Sequence, residues 1–291
     1  MEATELIKKV RKIEIKSKGL SNQIFSGEYF SAFKGRGMTF SEVREYQFGD
    51  EIRTIDWNVT ARFNHPYVKV FQEEREMSVM LMIDISASSL FGTKVLSKKE
   101  LITEIAATIA FSAIQNNDKI GVIFFTDKIE KFIPPKKGKS HILRIIRELL
   151  LIEPQQTKTD IAQALRYLTN VQKRRTTTFI ISDFIDDQFN DEIKLANKRH
   201  PLYAIKINDI AEHQLPRVGL LKVKDLETGK SAWVDTNDKN VQEFLLKQSK
   251  LRDISAKDSF RKSGVDFADI YTGQSYIKPL VNLFKKQSSK V

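Results

Sequence analysis

The chain of 291 residues contains no cysteine. Disulfides, thiolate metal sites and cysteine nucleophiles are excluded together, and the absence agrees with a reducing compartment. Histidine is almost as scarce: His65, His141, His200 and His213 are the whole set. They fall on separate predicted elements, which argues against a catalytic centre built on imidazole. Any metal is left to oxygen donors or to an isolated histidine. No stretch approaches the roughly 18 consecutive apolar residues of a membrane span. The opening segment "MEATELIKKVRKIEIK" mixes acidic and basic residues and lacks the apolar core and cleavage site of a secretory leader. The expectation is a cytoplasmic protein. Internal repeats and low-complexity tracts are also missing, apart from a short Lys/Ser tail.

What is present is the composition of a globular protein, 41% hydrophobic and 29% charged, on a chain long enough for one large domain or two modest ones. The formal net charge is +11, which keeps nucleic acid, anionic lipid and acidic partners in view. The excess is diffuse. "PPKKGKSH", "QKRR" and "FKKQSSKV" lie at predicted loops or ends, without the interleaved aromatics of single-strand binders. A basic nucleic-acid-binding protein is therefore an alternative reading, with binding expected to be sequence-blind and no specific nucleic acid implied.

Periodicity organises the rest. Residues 3–16 have the pattern of an amphipathic helix, and residues 18–64 show little periodicity. "PYVKVFQEE" and "EMSVMLMIDI" predict successive strands, the second apolar throughout, as a strand covered on both faces is. "SKKELITEIAATIAFSAIQNN" predicts a helix with Ser97 as N-cap and Glu100 three residues on. "KIGVIFFT" and "KIEKFIPP" follow as strands, the latter ended by its prolines. "KSHILRIIRELLLI" and "TDIAQALRYLTNVQ" are helices, the second capped by Thr159 or Asp160. Then come strand "TTTFIISD", helix "DQFNDEIKLANKR" and strand "PLYAIKI". "GLLKVKDLETGKSAWVD" predicts a hairpin turning at residues 227–229, followed by a long helix over 240–263. "VDFADI" is a last strand and "SYIKPLVNLFKK" a last helix, with Pro279 in its first turns. This alternation predicts an α/β fold with a doubly wound, mostly parallel sheet over residues 76–291, carrying a β-hairpin insertion, with residues 1–75 as an N-terminal extension.

In such sheets ligands bind at the carboxyl ends of strands, beside the switch in strand order. Three predicted ends are polar together: Asp84 with Ser86 and Ser88, the loop of Thr157 and Thr159, and Asp183 closing "FIISD". Carboxylates and hydroxyls, all oxygen and few in charge, suit a hard divalent cation that keeps several waters, Mg²⁺ first and Mn²⁺ as an alternative. An open site with so little protein charge is expected to bind the cation with modest affinity and to leave it a place for a carboxylate from outside.

"DISAS", "TKTD" and the closing Asp of "FIISD" resemble the metal-ion-dependent adhesion site (MIDAS) of von Willebrand factor A domains. The resemblance implies Asp84, Ser86, Ser88, Thr159 and Asp183 around Mg²⁺. The segment "GRGMTFSEVREYQFGDEIRTIDWNVTARFNHPYVKVFQEERE" closely resembles the hallmark of bacterial domain-of-unknown-function family 58, von Willebrand A-like proteins associated with MoxR-type ATPases. "HPLYAIKINDIAEHQLPRVGLLKVKDLETGK" and "VDFADIYTGQSYIKPLVNLF" are similar to that family too, so the likeness runs from about Gly19 onward. One departure is the second metal loop, "QTKTD" in place of the usual Gly-Gly-Thr or Gly-Thr-Asp. It puts Lys158 directly before Thr159, where a lysine aimed at the site would repel a cation.

Competing readings of the same residues are weaker. Serines after strands are often turn formers, Asp127 fits a turn, and Asp186 and Asp187 fall where helix caps belong. A phosphatase needs an acid two residues after Asp84, and that residue is Ser86. Gly138-Lys139-Ser140 ends like a phosphate-binding loop, but Ile133 stands where its first glycine belongs. A Mg²⁺-dependent nuclease or phosphoryl-processing enzyme could recruit Asp160, Asp186 or Asp187 beside Asp84 and Asp183, although hydroxyls at 86 and 88 do not neutralise two metals. In the signature segment, Arg44, Asp50, Arg53, Asp56 and Arg62 with Tyr46 and Trp57 suit either an ion-pair network roofed by aromatics or a partner-binding surface. The sequence thus predicts a non-enzymatic protein-binding module. The resemblance implies a MoxR-type ATPase and a client protein as partners, the contact running through an acidic residue.

Overall fold

The computed structural model describes residues 3–25, 38–73, 77–90, 97–154, 158–186, 188–209, 217–224 and 231–288. The chain forms two compact units, Phe33–Met77 and the combination of Met1–Ala32 with Ser78–Val291. The elements in chain order are α1 (Ala3–Phe25), β1 (Met38–Glu45), a 3-10 turn (Ile52–Thr54), α2 (Trp57–Phe63), β2 (Tyr67–Glu73), β3 (Ser78–Asp84), α3 (Lys98–Gln115), β4 (Lys119–Phe125), β5 (Ile129–Lys136) and α4 (Lys139–Leu151). They continue with α5 (Ile161–Val171), β6 (Thr177–Ser182), α6 (Asn190–Arg199), β7 (Leu202–Asn208), β8 (Leu220–Lys224), β9 (Ser231–Asp235), α7 (Lys239–Ser263), β10 (Asp266–Tyr271) and α8 (Ile277–Ser288).

The larger unit is built on a six-stranded sheet in the order β10-β7-β6-β3-β4-β5, parallel except for β5. This is the expected α/β fold with a doubly wound, mostly parallel sheet. Strands β3, β6 and β7 are buried on both faces because both are covered. Met80, Met82, Ile123, Phe125 and Ile180 pack with Ile161, Leu165, Ile193 and Phe260 of α5, α6 and α7 on one side. The alternate residues of β3, Val79, Leu81 and Ile83, point to the opposite face, where α3, α4 and α8 lie with α1 outside them. Helix α3 starts with the expected capping box, Ser97 and Glu100 bonding reciprocally.

From β3 the chain winds outward to β4 and β5, then returns to β6 on the other side of β3. The switch point therefore lies between β3 and β6. Strand β5 runs through Pro134 and Pro135 rather than ending at them. It is an edge strand, where missing amide donors are tolerated. Opposite it, a Cβ on Gly121 would come within 2.7 Å of the Ile133 carbonyl oxygen, so this close crossing requires glycine.

The small unit ends at Met77, and the residues before Phe33 group with the sheet rather than with it. Helix α1 belongs with the sheet unit: Lys16 donates to Glu104 on α3 at 2.6 Å, and Glu14 pairs with Lys139 of α4 at 2.7 Å. The small unit is an antiparallel β1–β2 pair with an irregularity between Phe40 and Glu42, plus α2. Asp56 caps α2, and Asn64 ends it in the left-handed conformation at φ 54°. These elements are too short to give residues 18–64 a visible period. Strands β8 and β9 form the predicted hairpin, whose turn at 227–229 lies outside the described residues. Among the described residues no helix is long and apolar enough to cross a membrane.

Candidate functional site

The carboxyl ends of β3 and β6 converge at the switch point. Ile83 pairs with Ile181 in parallel register, so Asp84 and Ser182 emerge side by side and Asp183 follows one position later. The Ser182 hydroxyl donates to Asp84 Oδ2 at 2.6 Å, and the Ser86 amide donates to Asp84 Oδ1 at 2.9 Å. Past Asp84 the chain tightens into a 3-10 turn, Ala87–Leu90, which sets the Ser86 and Ser88 hydroxyls 3.0 Å apart. The alternation Asp84-x-Ser86-x-Ser88 is thus resolved by a turn that folds two hydroxyls back over the strand end.

These site residues are buried, where the sequence suggested a solvent-open site. Asp84 is 1% exposed, Ser86 0%, Ser88 9% and Asp183 7%. Burial, and after it the Asp183 carboxylate, push the Asp84 carboxyl up to about 6. Phe184 adopts φ 54°, an uncommon conformation for an aromatic residue, with its amide donating to Ser182 Oγ at 3.0 Å. Its ring is anchored 4.8 Å from that of Phe260. This sharp bend directly follows β6 and Asp183 and holds the two carboxylates at one rim.

A residue that sequence reasoning missed reaches the same point. Lys98, the first residue of α3, is 1% exposed and donates from Nζ to Asp183 Oδ2 at 3.0 Å. Lys158, the lysine that the sequence sets beside Thr159, is exposed. The available signal was a lysine in the first helical turn, where the helix dipole disfavours a cation. Asp183 Oδ1 is buried and accepts no hydrogen bond among the described residues.

The remaining expected residues separate by role. Thr159 is half-buried in the segment before α5. The Asp160 amide donates to the Thr126 carbonyl at 3.1 Å, tying that segment to the end of β4, which neighbours β3. Asp160 caps α5 by accepting from the Gln163 amide at 2.7 Å, and Asp186 accepts from the Ile161 amide at 2.9 Å, so both carboxylates serve one helix terminus. Asp127 stays in the β4–β5 turn, 3.4 Å from the Thr126 hydroxyl. Thr157, Asp187 and His213 lie outside the described residues. His141 Nε2 lies 2.9 Å from the Ile120 carbonyl, and His200 Nδ1 accepts from the Thr176 amide. Among the described residues no group of three or more His, Asp or Glu is placed to hold a metal.

The donor set at the rim fits a hard divalent cation. It consists of two carboxylates and clustered hydroxyls, and an unsatisfied buried carboxylate oxygen is costly unless something positive meets it. Lys98 supplies part of that positive charge from within the chain. Beyond Asp183, a cavity of about 80 Å³ opens against Phe184, Lys206, Asn208 and Arg252.

In the small unit, Arg44 grips Asp50 through two hydrogen bonds of 2.7 Å, and Asp50 also accepts from the Gln47 amide. The Arg44 guanidinium, followed by that amide, holds the Asp50 carboxyl below the usual carboxylate range. Asp56 caps α2 and pairs with Lys69 at 3.4 Å. The Tyr46 amide donates to the Pro66 carbonyl. Arg53 and Arg62 are exposed, and Trp57 is 67% exposed. Arg44, Asp50 and Asp56 therefore brace the unit, while Arg53, Trp57 and Arg62 face outward from it.

Comparison with known proteins adds the following. The family model described as "Protein of unknown function DUF58" matches residues 42–252. The uncharacterized protein Rv1480 of Mycobacterium tuberculosis is 30% identical over 223 residues, which are 76% of this chain and 70% of that protein. The uncharacterized protein YeaD of Bacillus subtilis is 26% identical over 111 residues, 38% of this chain and 26% of that protein. Among solved structures, the conserved hypothetical protein BatB of Bacteroides thetaiotaomicron aligns with a TM-score of 0.51 at 16% identity, covering 73% of this chain and 99% of that one. Such a likeness bears on the fold alone.

Proposed function

The chain belongs to the DUF58 family, and from that premise we propose that it is a non-enzymatic protein-binding module whose sheet rim recognises an acidic side chain of a partner with the help of Mg²⁺, or Mn²⁺ in its place. Asp84 and Asp183 hold the cation, with Ser86, Ser88 and Thr159 completing the protein's share of its oxygens. Mg²⁺, when bound, supplies a Lewis-acidic position that a carboxylate oxygen can fill. The observation that carries the reading is the convergence of the buried Asp84 and Asp183 carboxylates and two serine hydroxyls at the switch point, with Asp183 Oδ1 lacking a hydrogen-bond partner among the described residues.

The chain's own groups prepare the site. Ser182 and the Ser86 amide fix the Asp84 carboxylate, the left-handed Phe184 fixes Asp183, and the 3-10 turn orients both hydroxyls. Among the described residues the rim offers two carboxylates, too few for a two-metal hydrolytic centre. Of the further candidates, Asp160 and Asp186 are engaged in capping α5, while Asp187 lies outside the described residues. This favours binding over catalysis. The proposed setting is the cytoplasm, with a MoxR-type ATPase and a client complex as partners in assembly or remodelling. The test is association with the cognate ATPase and its client, measured with Mg²⁺ and with EDTA, for wild type and Asp84→Ala. Loss of the contact in EDTA and in the variant is expected. A contact unchanged by both refutes the rim as the binding surface and shifts the search to Arg53, Trp57 and Arg62.

A further inference from the structure

Lysine is almost never fully buried unless paired, and a buried ion pair is often no more stabilising than apolar residues of the same volume. Lys98 is buried to 1% exposure, in the first turn of α3. There the helix dipole works against it. Core stability is thus a poor reason for Lys98, whereas its position is specific: its ammonium meets Asp183 Oδ2 at 3.0 Å, while Asp183 Oδ1 has no hydrogen-bond partner among the described residues. We infer that Lys98 is a built-in counter-cation that makes the rim bind a divalent cation and an acidic side chain together rather than the cation alone.

The argument is one of charge, and it rests on the proposed reading that the rim holds a divalent cation. Among the described buried groups, Asp84 and Asp183 bring two negative charges and Lys98 one positive, while Lys206 is balanced by its ion pair with Asp253, which leaves these groups at −1. A divalent cation takes them to +1, and in a buried site that uncompensated charge is unfavourable. A carboxylate from a partner restores neutrality. Without Lys98, the two carboxylates balance the cation by themselves, and an incoming carboxylate makes the site negative. Lys98 thereby weakens the binding of cation alone and couples it to the partner's acid. Cation and partner then bind cooperatively, as thermodynamic linkage requires in both directions.

The experiment is a Mn²⁺ titration followed by electron paramagnetic resonance on the full chain. It uses wild type, Lys98→Met, Lys98→Arg and Asp84→Asn, each with acetate as the carboxylate probe and with chloride at matched ionic strength. Lys98→Met is expected to bind Mn²⁺ at least tenfold more tightly than wild type in chloride. Acetate is expected to tighten Mn²⁺ binding in wild type and Lys98→Arg but not in Lys98→Met, and Asp84→Asn to abolish binding. Should melting curves show Lys98→Met unfolded, Lys98→Gln carries the same comparison. Wild type binding Mn²⁺ with Lys98→Met no tighter and equally responsive to acetate overturns the role of Lys98 and leaves the cation site standing. Folded proteins that take up no Mn²⁺ in any form remove the cation reading and this inference with it.

Discussion

The Ser182 hydroxyl donates to Asp84 Oδ2 at 2.6 Å across the boundary between β3 and β6, the two strands on either side of the switch point. Ser182 also accepts from the Phe184 amide. One side chain thus fixes the first carboxylate and the bend that presents the second. A hydrogen bond to a charged group contributes about 1.5–3 kcal/mol. Ser182→Ala is expected to lower stability by about that amount and to weaken cation binding although no ligand is removed. Urea denaturation and a parallel Mg²⁺ titration check both effects.

Gly121→Ala is expected to destabilise the sheet by about 1–3 kcal/mol, the usual range for overpacking. The added methyl meets backbone atoms of Ile133 and Pro135, not a flexible side chain. A change in urea midpoint with unaltered slope is the expected readout. A neutral substitution would mean that β5 moves aside freely.

His200 is buried, accepts from the Thr176 amide through Nδ1, and has its pKa lowered first by desolvation and then by Arg199. A depressed folded value means that the unfolded chain takes up the proton first. The stability associated with His200 is therefore present above about pH 6.5, the ordinary histidine value, and is lost as pH falls through the folded value. His200→Asn, whose Oδ1 can accept the same amide, should flatten the stability profile below that pH. Melting temperatures across the acid range decide it.

Helix α5 should respond to two caps from different parts of the chain. Asp160→Ala and Asp186→Ala are each expected to cost about 1 kcal/mol, because each leaves a first-turn amide without its acceptor. Both should loosen the segment that carries Thr159. A measurable fall in cation affinity without loss of either rim carboxylate is the accompanying expectation.

The wound sheet was legible because its strands are buried on both faces and their apolar runs are continuous, as in β3 and β6. Asp84, Ser86, Ser88 and Asp183 were legible because they follow strand ends directly, so chain connectivity alone brings them to one rim. Lys98 was not. Its partner Asp183 lies 85 residues away, and a lysine in a first helical turn is in most sequences a solvated one. The grouping of helix α1 with the sheet was not legible for a similar reason: its pairing with α3 and α4 is tertiary and leaves no local mark. The ring of charge around Trp57 suggested one network, yet only geometry separates the bidentate Arg44–Asp50 pair from the outward-facing Arg53 and Arg62.

The most direct test of the account is calorimetric titration of Mg²⁺ into wild type, Asp84→Asn and Asp183→Asn, with a melting curve for each. Asparagine keeps the shape of each side chain and removes its charge. The account predicts one cation per wild-type chain and no detectable binding in either folded variant. Titrations of the three folded proteins that cannot be told apart would contradict it.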